Sequence, residues 1–541
     1  MPKTKTTTPS SRVTPPQRFP FSERLQHPLL LPGLLFCLAL AIRVWGLSFG
    51  LPSFFSVDEI NKRDAALRLA ETGFTHRNSQ PSFLYNSLYL VFSLARLLSP
   101  EWTTVQYHYM GRVWMAVLGA LTVVVLYRLG SVWDRRVGLL AAIFLAILPW
   151  HTATSRYIKE DTPLTLMSTI AILLIVLYLR DPSRLALSAA ALFAGVSFST
   201  KYAGLLLAFP LMLAFAVSAW RTQRQARAIA LDLALILLAF WVGFFLVSPI
   251  YLLRPDQFVS GFLGQWDYSA RGHHDGIIND PWNDWWTYYI RTGLIPGLTW
   301  PVFLLSVAGL VLMPRSRGGW IVTVTAAWLY LVFEHGRAKP YPFPVRYLLP
   351  MAPLLCLSAA AALVRIAASL KRTLPSFAVY GVCAVLFVLP PLANTLLIAD
   401  EALHDTRTVA GAWMEQAIPP GSHIVVTEQP AYLPVSHYWG REWRVFPPER
   451  IPELLSARGA DPPPFFVLSS FTYQRYLDHP EAAPQWTRFY RRIMSEYRLV
   501  KEFRPRWFTY GFHSPVIRIY QPPTPADMLS FDVSGITGRQ T

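Results

Sequence analysis

"SRYIKEDTPLTLM", residues 155–167, sets Arg156, Lys159, Glu160 and Asp161 between two apolar runs, "GLLAAIFLAILPW" at 138–150 and "STIAILLIVLYL" at 168–179. Charges are costly in hydrocarbon, so such a cluster requires either a water-facing turn or a working site at the membrane surface. The pattern repeats along the chain: apolar stretches, many near the roughly 20 residues that cross a bilayer as helix, alternate with basic or turn-rich breaks. Composition agrees. Of 541 residues, 53% are hydrophobic, 14% aromatic and only 15% charged, against about 25% charged in an ordinary soluble domain. The chain reads as a polytopic α-helical membrane protein.

The net charge of +17 sits mostly in short Lys/Arg clusters beside apolar segments. There it biases orientation, and nucleic acid is not expected as a partner. Cys37, Cys356 and Cys383 lie in apolar runs without metal-ligand spacing, so neither a disulfide framework nor a zinc site is indicated and they read as packing residues. Residues 1–27, rich in Thr, Pro and Lys, read as a disordered basic cytoplasmic tail, and the first apolar run as a retained anchor.

Placing the Lys/Arg clusters in the cytoplasm gives spans at about 29–49, 110–130, 137–153, 162–180, 185–199, 203–220, 229–249, 294–313, 319–333, 347–366 and 376–397. These are eleven helices, with outer loops at about 50–109, 154–161, 250–293 and 334–346. The run at about 82–99 reads as an interfacial or re-entrant helix, since a full span there would turn the Arg128–Arg136 cluster outward. From about 399 to the end the character changes: "HIVVTE", "FFVLSS" and "VIRIYQ" read as short strands and "EALHDTRTVAGAWMEQ" as helix. This predicts a small extracytoplasmic α/β domain after a transmembrane domain of about 28–398.

Two outer segments carry acids. Asp58 and Glu59 follow the aromatic approach "PSFFSV", where partial dehydration suits a general base or a metal ligand, although the same pair also fits the first turn of a helix. In "SRYIKED", Asp161 precedes Thr162-Pro163 and faces a helix start, and Arg156 and Glu160 have the spacing of a helical ion pair. Arg112, Lys201 and Arg346 fall at expected outer membrane ends. Any one of them is explained by snorkelling, but together with Arg156 they suit an anionic headgroup. The loop at about 250–293 is long and rich in Trp and Tyr, as binding loops often are, and holds His273 and His274 beside Asp275. Metal dependence stays open, because Asp58, Glu59, His273 and His274 could serve with or without a divalent ion.

These stretches resemble glycosyltransferase family 39, the protein O-mannosyltransferases and their bacterial relatives of the GT-C fold. Asp58-Glu59 and "SQPSFLY" at 79–85 look like the family's Asp-Glu pair and its His-Pro-Pro-like segment. "SRYIKEDTPL" is similar to a signature of the form S-R-Y-I-L-L-D-x-x-L. "GVSFSTKYAGLL" at 195–206 and "RYLLP" at 346–350 match a G-x-x-x-S-T-K-(W/Y)-x-G-L segment and an R-Y-x-x-P segment. The outer C-terminal domain looks more like that of the bacterial members, including aminoarabinose transferases acting on lipid A. Two departures stand out: Gln80-Pro81-Ser82 replaces His-Pro-Pro, and Lys159-Glu160 replaces an apolar pair before the aspartate.

The resemblance implies an enzyme of the plasma membrane that moves a sugar, with inversion, from a polyprenyl-phosphate donor to a protein, lipid or glycan acceptor on the extracytoplasmic face. Asp58 is then the general base. Glu59 and Asp161 orient donor or acceptor, and Arg112, Arg156, Lys201 and Arg346 stabilise the leaving phosphate. Gln80, His273 and His274 fall in substrate loops. The competing class is a lipid or solute transporter, but that would place functional charge or broken helices near the midplane and often show repeated halves, whereas these charges gather at the outer ends.

Overall fold

The computed structural model describes residues 30–72, 80–99, 101–271, 286–316, 318–336, 344–426, 432–434, 444–446, 464–481, 483–507 and 513–521. His273 and His274 lie outside these residues. Among the described residues, six helical stretches are long and apolar enough to cross a membrane: Thr104–Ser131, Asp161–Arg180, Tyr202–Arg221, Ala226–Val247, Arg346–Leu370 and Ser376–Ala417. A seventh arises if Ile290–Leu298 and Trp300–Arg315, bent by 103°, are one span. That bend falls where Thr299 takes φ +68° and Pro301 removes a backbone donor.

Leu30–Val44, Phe83–Leu98, Arg184–Thr200 and Trp320–His335 are apolar but shorter. Length and composition therefore meet six or seven of the eleven expected crossings. The expected run at 137–153 divides into Arg135–Ala146 and a short helix Pro149–Thr154, restarted by proline.

Close helix crossings hold the bundle. A Cβ added at Gly195, on Arg184–Thr200, would sit 1.9 Å from the Phe240 carbonyl oxygen of Ala226–Val247, and one at Gly243 would sit 2.1 Å from the Leu192 oxygen. Small residues there let two backbones touch, which is how helices gain dispersion contact where lipid is as apolar as the side chains. Phe83–Leu98 packs Leu84, Leu88 and Phe92 against Met115 and Leu118 in a cluster separate from the main core.

Residues 406–521 build a mixed sheet of order β2-β1-β3-β5-β4, with β1 His423–Val426, β2 Arg444–Phe446, β3 Phe465–Ser469, β4 Arg498–Phe503 and β5 Ile517–Gln521. β1 pairs in parallel with β2 and β3, and β5 pairs antiparallel with β3 and β4. The three strand-like runs of the sequence are β1, β3 and β5, while β2 and β4 were not legible. β3 is buried along its whole length and separates two apolar clusters. The expected continuous helix from Glu401 breaks at His404-Asp405, where the Asp405 carboxylate accepts the Arg407 N–H and starts a new helix, Thr406–Ala417.

Candidate active site

Asp58 and Glu59 occupy the first turn of the helix Val57–Leu67, where its dipole favours carboxylates. Adjacent helical positions point about 100° apart, so the two acids meet different surroundings. The Glu59 side chain is fully buried, whereas that of Asp58 is 46% exposed.

Glu59 is held by Arg112 in a fork, Nε to Oε1 at 2.9 Å and Nη2 to Oε2 at 2.8 Å. The Ile158 N–H donates to Oε1 at 3.0 Å, and His108 Nε2 lies 3.6 Å away. Arg112 also donates Nη1 to the Leu47 and Phe49 carbonyls at 2.8 and 2.7 Å. Burial opposes the charge on Glu59, but Arg112 and His108 hold its carboxyl well below the usual range. The pair is a buried rivet that ties the first acidic segment to the helix Thr104–Ser131, and the Ile158 N–H joins the second acidic segment to the same carboxylate. It leaves Arg112 facing Glu59 and backbone carbonyls, away from the exposed mouth.

At the mouth, Asp58 Oδ2 contacts Lys159 Nζ and lies 3.7 Å from Arg346 Nη1. Lys159 above all, then Lys62 and Arg346, keep the Asp58 carboxyl far below its usual value against the effect of burial. Lys159 itself is pushed down to about 8, by burial first and by its neighbours Arg346 and Lys62, against the pull of Asp58.

Asp161, first residue of its helix, accepts from Lys201 Nζ at 2.6 Å. Lys201 and Arg346 both lie over the Tyr347 ring, at 5.0 and 5.1 Å. Lys62 reaches Glu160 at 3.0 Å, and its ammonium is raised above its usual value even though burial works the other way. Gln80 bridges two further elements, donating Nε2 to Gln265 Oε1 at 2.6 Å and accepting the Tyr202 N–H at 3.4 Å.

The structure thus gathers Asp58, Asp161, Lys201 and Arg346 in one mouth, with Gln80 joined to the residue after Lys201. Arg156 is elsewhere. It does not pair with Glu160 but donates to the Ile42 carbonyl at 3.0 Å and the Arg43 carbonyl at 3.4 Å, capping the helix Leu30–Val44. Lys62, Lys159 and Glu160 are mouth residues that sequence reading did not assign to the site. The four-residue step from Asp58 to Lys62 was a usable signal for the first. Among the described residues no group of three or more His, Cys, Asp or Glu could hold a metal ion.

Fold and site together define an integral membrane protein with a paired acid and cation site at one end of a helical bundle. Residues 108–246 match the family model described as dolichyl-phosphate-mannose-protein mannosyltransferase, so the resemblance to the family 39 glycosyltransferases of the GT-C class is met there. The matched region contains "SRYIKED" and "STKYAG" and excludes Asp58 and Arg346. No curated protein matches the chain.

Among solved structures, ArnT from Cupriavidus metallidurans bound to undecaprenyl phosphate is 16% identical, covering 91% of this chain and 98% of that one at a TM-score of 0.49. The Archaeoglobus fulgidus oligosaccharyltransferase in complex with Zn and sulfate is 14% identical, covering 89% and 73% at 0.49. The S. cerevisiae Pmt1-Pmt2 complex bound to the sugar donor is 20% identical, covering 44% and 35% at 0.34.

Proposed function

We propose that this protein is an inverting membrane glycosyltransferase that moves a sugar from a polyprenyl-phosphate donor to an acceptor on the extracytoplasmic face. In this reading about 28–398 is the catalytic bundle, its eleven spans leaving the α/β unit outside. The observation that carries the reading is the half-exposed Asp58 carboxylate held between Lys159 and Arg346, beside the Asp161–Lys201 pair.

The charges of the mouth suit this chemistry. Four cations, Lys62, Lys159, Lys201 and Arg346, face three carboxylates, Asp58, Glu160 and Asp161, an excess of one positive charge. A sugar phosphodiester brings one negative charge. On arrival its phosphate competes for Lys159 and Arg346 and draws them from Asp58, whose basicity rises as its partners leave. Asp58 takes the proton of the acceptor hydroxyl while that oxygen bonds to the anomeric carbon. The carbon–oxygen bond to phosphate breaks with its electron pair. The leaving phosphate monoester thus gains a negative charge as the mouth, with Asp58 protonated, gains a positive one. Lys159, Lys201 and Arg346 stabilise that developing charge. Asp161 aims Lys201, and the Glu59–Arg112 rivet fixes the helix that carries Asp58.

The test presents purified protein in nanodiscs with a panel of radiolabelled polyprenyl-phosphate monosaccharides and outer-surface acceptors, and follows label leaving the lipid. Asp58→Asn is expected to lower transfer by about 10²- to 10⁴-fold in a folded protein. Robust transfer by that variant would remove Asp58 as the base.

A further inference from the structure

The α/β unit meets the bundle at the two acidic segments. Tyr157, two residues before Lys159, and His513 Nδ1 are hydrogen-bonded at 2.7 Å. Burial pushes the His513 imidazole down to about 3, the Arg407 and Arg156 charges acting with it and Asp405 against it, so the ring is neutral and shares this one hydrogen bond with the phenol. Phe49 packs edge-on against the Tyr157 ring at 4.9 Å. On the other segment, Arg407 Nη1 donates to the Phe55 carbonyl at 3.0 Å, three residues before Asp58, and its guanidinium lies 4.0 Å over the Phe55 ring.

Arg407 is itself fixed. Nε and Nη2 hold the two oxygens of Asp405 at 2.9 and 2.7 Å, and Asp405 Oδ2 accepts the Ser514 N–H at 2.8 Å. Asp405, Arg407, His513 and Ser514 are all buried, so one rigid block of the α/β unit holds both acidic segments.

We propose that His513, Tyr157 and Arg407 are positioning residues, through which the α/β unit clamps the two acidic segments in the register that sets Lys159 on Asp58. Their effect passes along the backbone to Phe55 and Lys159 and through the Ile158 N–H on Glu59, a buried contact between the two segments. The clamp rests on the glycosyl-transfer reading for its kinetic consequence: small misplacements of reacting groups cost rate rather than binding. It rests on geometry alone for its structural one.

The experiment compares wild type with Tyr157→Phe, His513→Ala and His513→Asn in nanodiscs. Asparagine keeps both an amide donor and a carbonyl acceptor near the place of Nδ1. Three quantities are read: kcat and donor KM with the transferred polyprenyl-phosphate sugar, unfolding temperature, and hydrogen exchange of the peptide containing Ile158. Tyr157→Phe and His513→Ala are expected to lower kcat about tenfold with donor KM within about twofold, and to speed exchange at Ile158 about tenfold, while His513→Asn restores both. The double variant Tyr157→Phe/His513→Ala is expected to be no worse than either single one. Unchanged exchange at Ile158, or kcat losses that follow unfolding temperature across all variants with no rescue by Asn, would overturn the clamp. If wild type transfers no sugar from any donor, glycosyl transfer falls and the exchange arm alone decides the clamp.

Discussion

Replacing Glu59 by Gln would leave the Arg112 guanidinium buried against a neutral amide, so the expected loss is one of stability, about 3–5 kcal/mol as for other broken buried pairs. Thermal unfolding in detergent reads it directly. Asp58→Asn should cost less stability than Glu59→Gln, because that side chain is half exposed and its ion pairs are screened by water, while lowering transfer by about 10²- to 10⁴-fold. Equal stability losses in the two variants would contradict the division of labour between these adjacent acids. Lys159 makes a pH prediction. Its ammonium is held down to about 8, so its charged fraction falls as pH rises through that value and kcat/KM for the donor should fall with it. In Lys159→Arg, whose guanidinium stays charged, the alkaline limb should disappear from the pH profile of kcat/KM for the donor. At this scale the sequence marked the acids and several cations, but not their partners. Arg112 and Arg156 are basic residues at membrane ends like Lys201, and only the path of neighbouring backbone turned the first onto Glu59 and the second onto helix carbonyls.

Helix crossings give a prediction of a different kind. At Gly195 a new Cβ would lie 1.9 Å from the Phe240 carbonyl oxygen, backbone that cannot swing aside. Gly195→Val is therefore expected to destabilise the bundle by about 1–3 kcal/mol or more, as overpacking does. Gly33→Ala, on an apolar helix where an added Cβ meets nothing within 4 Å, should be neutral or slightly stabilising, since alanine is the better helix former. Comparable unfolding temperatures for the two variants would refute the close crossing. Element type followed from hydropathy almost throughout. Element length did not, because Pro149, Thr299-Trp300-Pro301 and the break at Val388 interrupt apolar runs that read as continuous.

For the whole molecule, the contact between the α/β unit and the bundle carries an acid dependence. His513 binds its proton at about 3 in the folded protein and near its usual value of 6.5 when unfolded. Between those values the unfolded chain holds the extra proton, so stability falls as pH drops from about 6.5 toward 3. Unfolding temperature measured across that window should decline less steeply in His513→Asn; identical slopes would show that His513 is not a source of it. The sequence by itself determined a membrane protein of many helices, a sheet-bearing C-terminal segment and two acidic segments worth a chemical reading, because apolar run length, strand-like alternation and the cost of charge in lipid are local properties of the chain. Tertiary structure decided which carboxylate is buried and which exposed, which cations face the mouth, and that Tyr157 and Phe55 are held by residues 356 and 352 positions further along the chain. Those choices depend on which segments become neighbours, and ion pairing and desolvation act through space with no trace in local spacing.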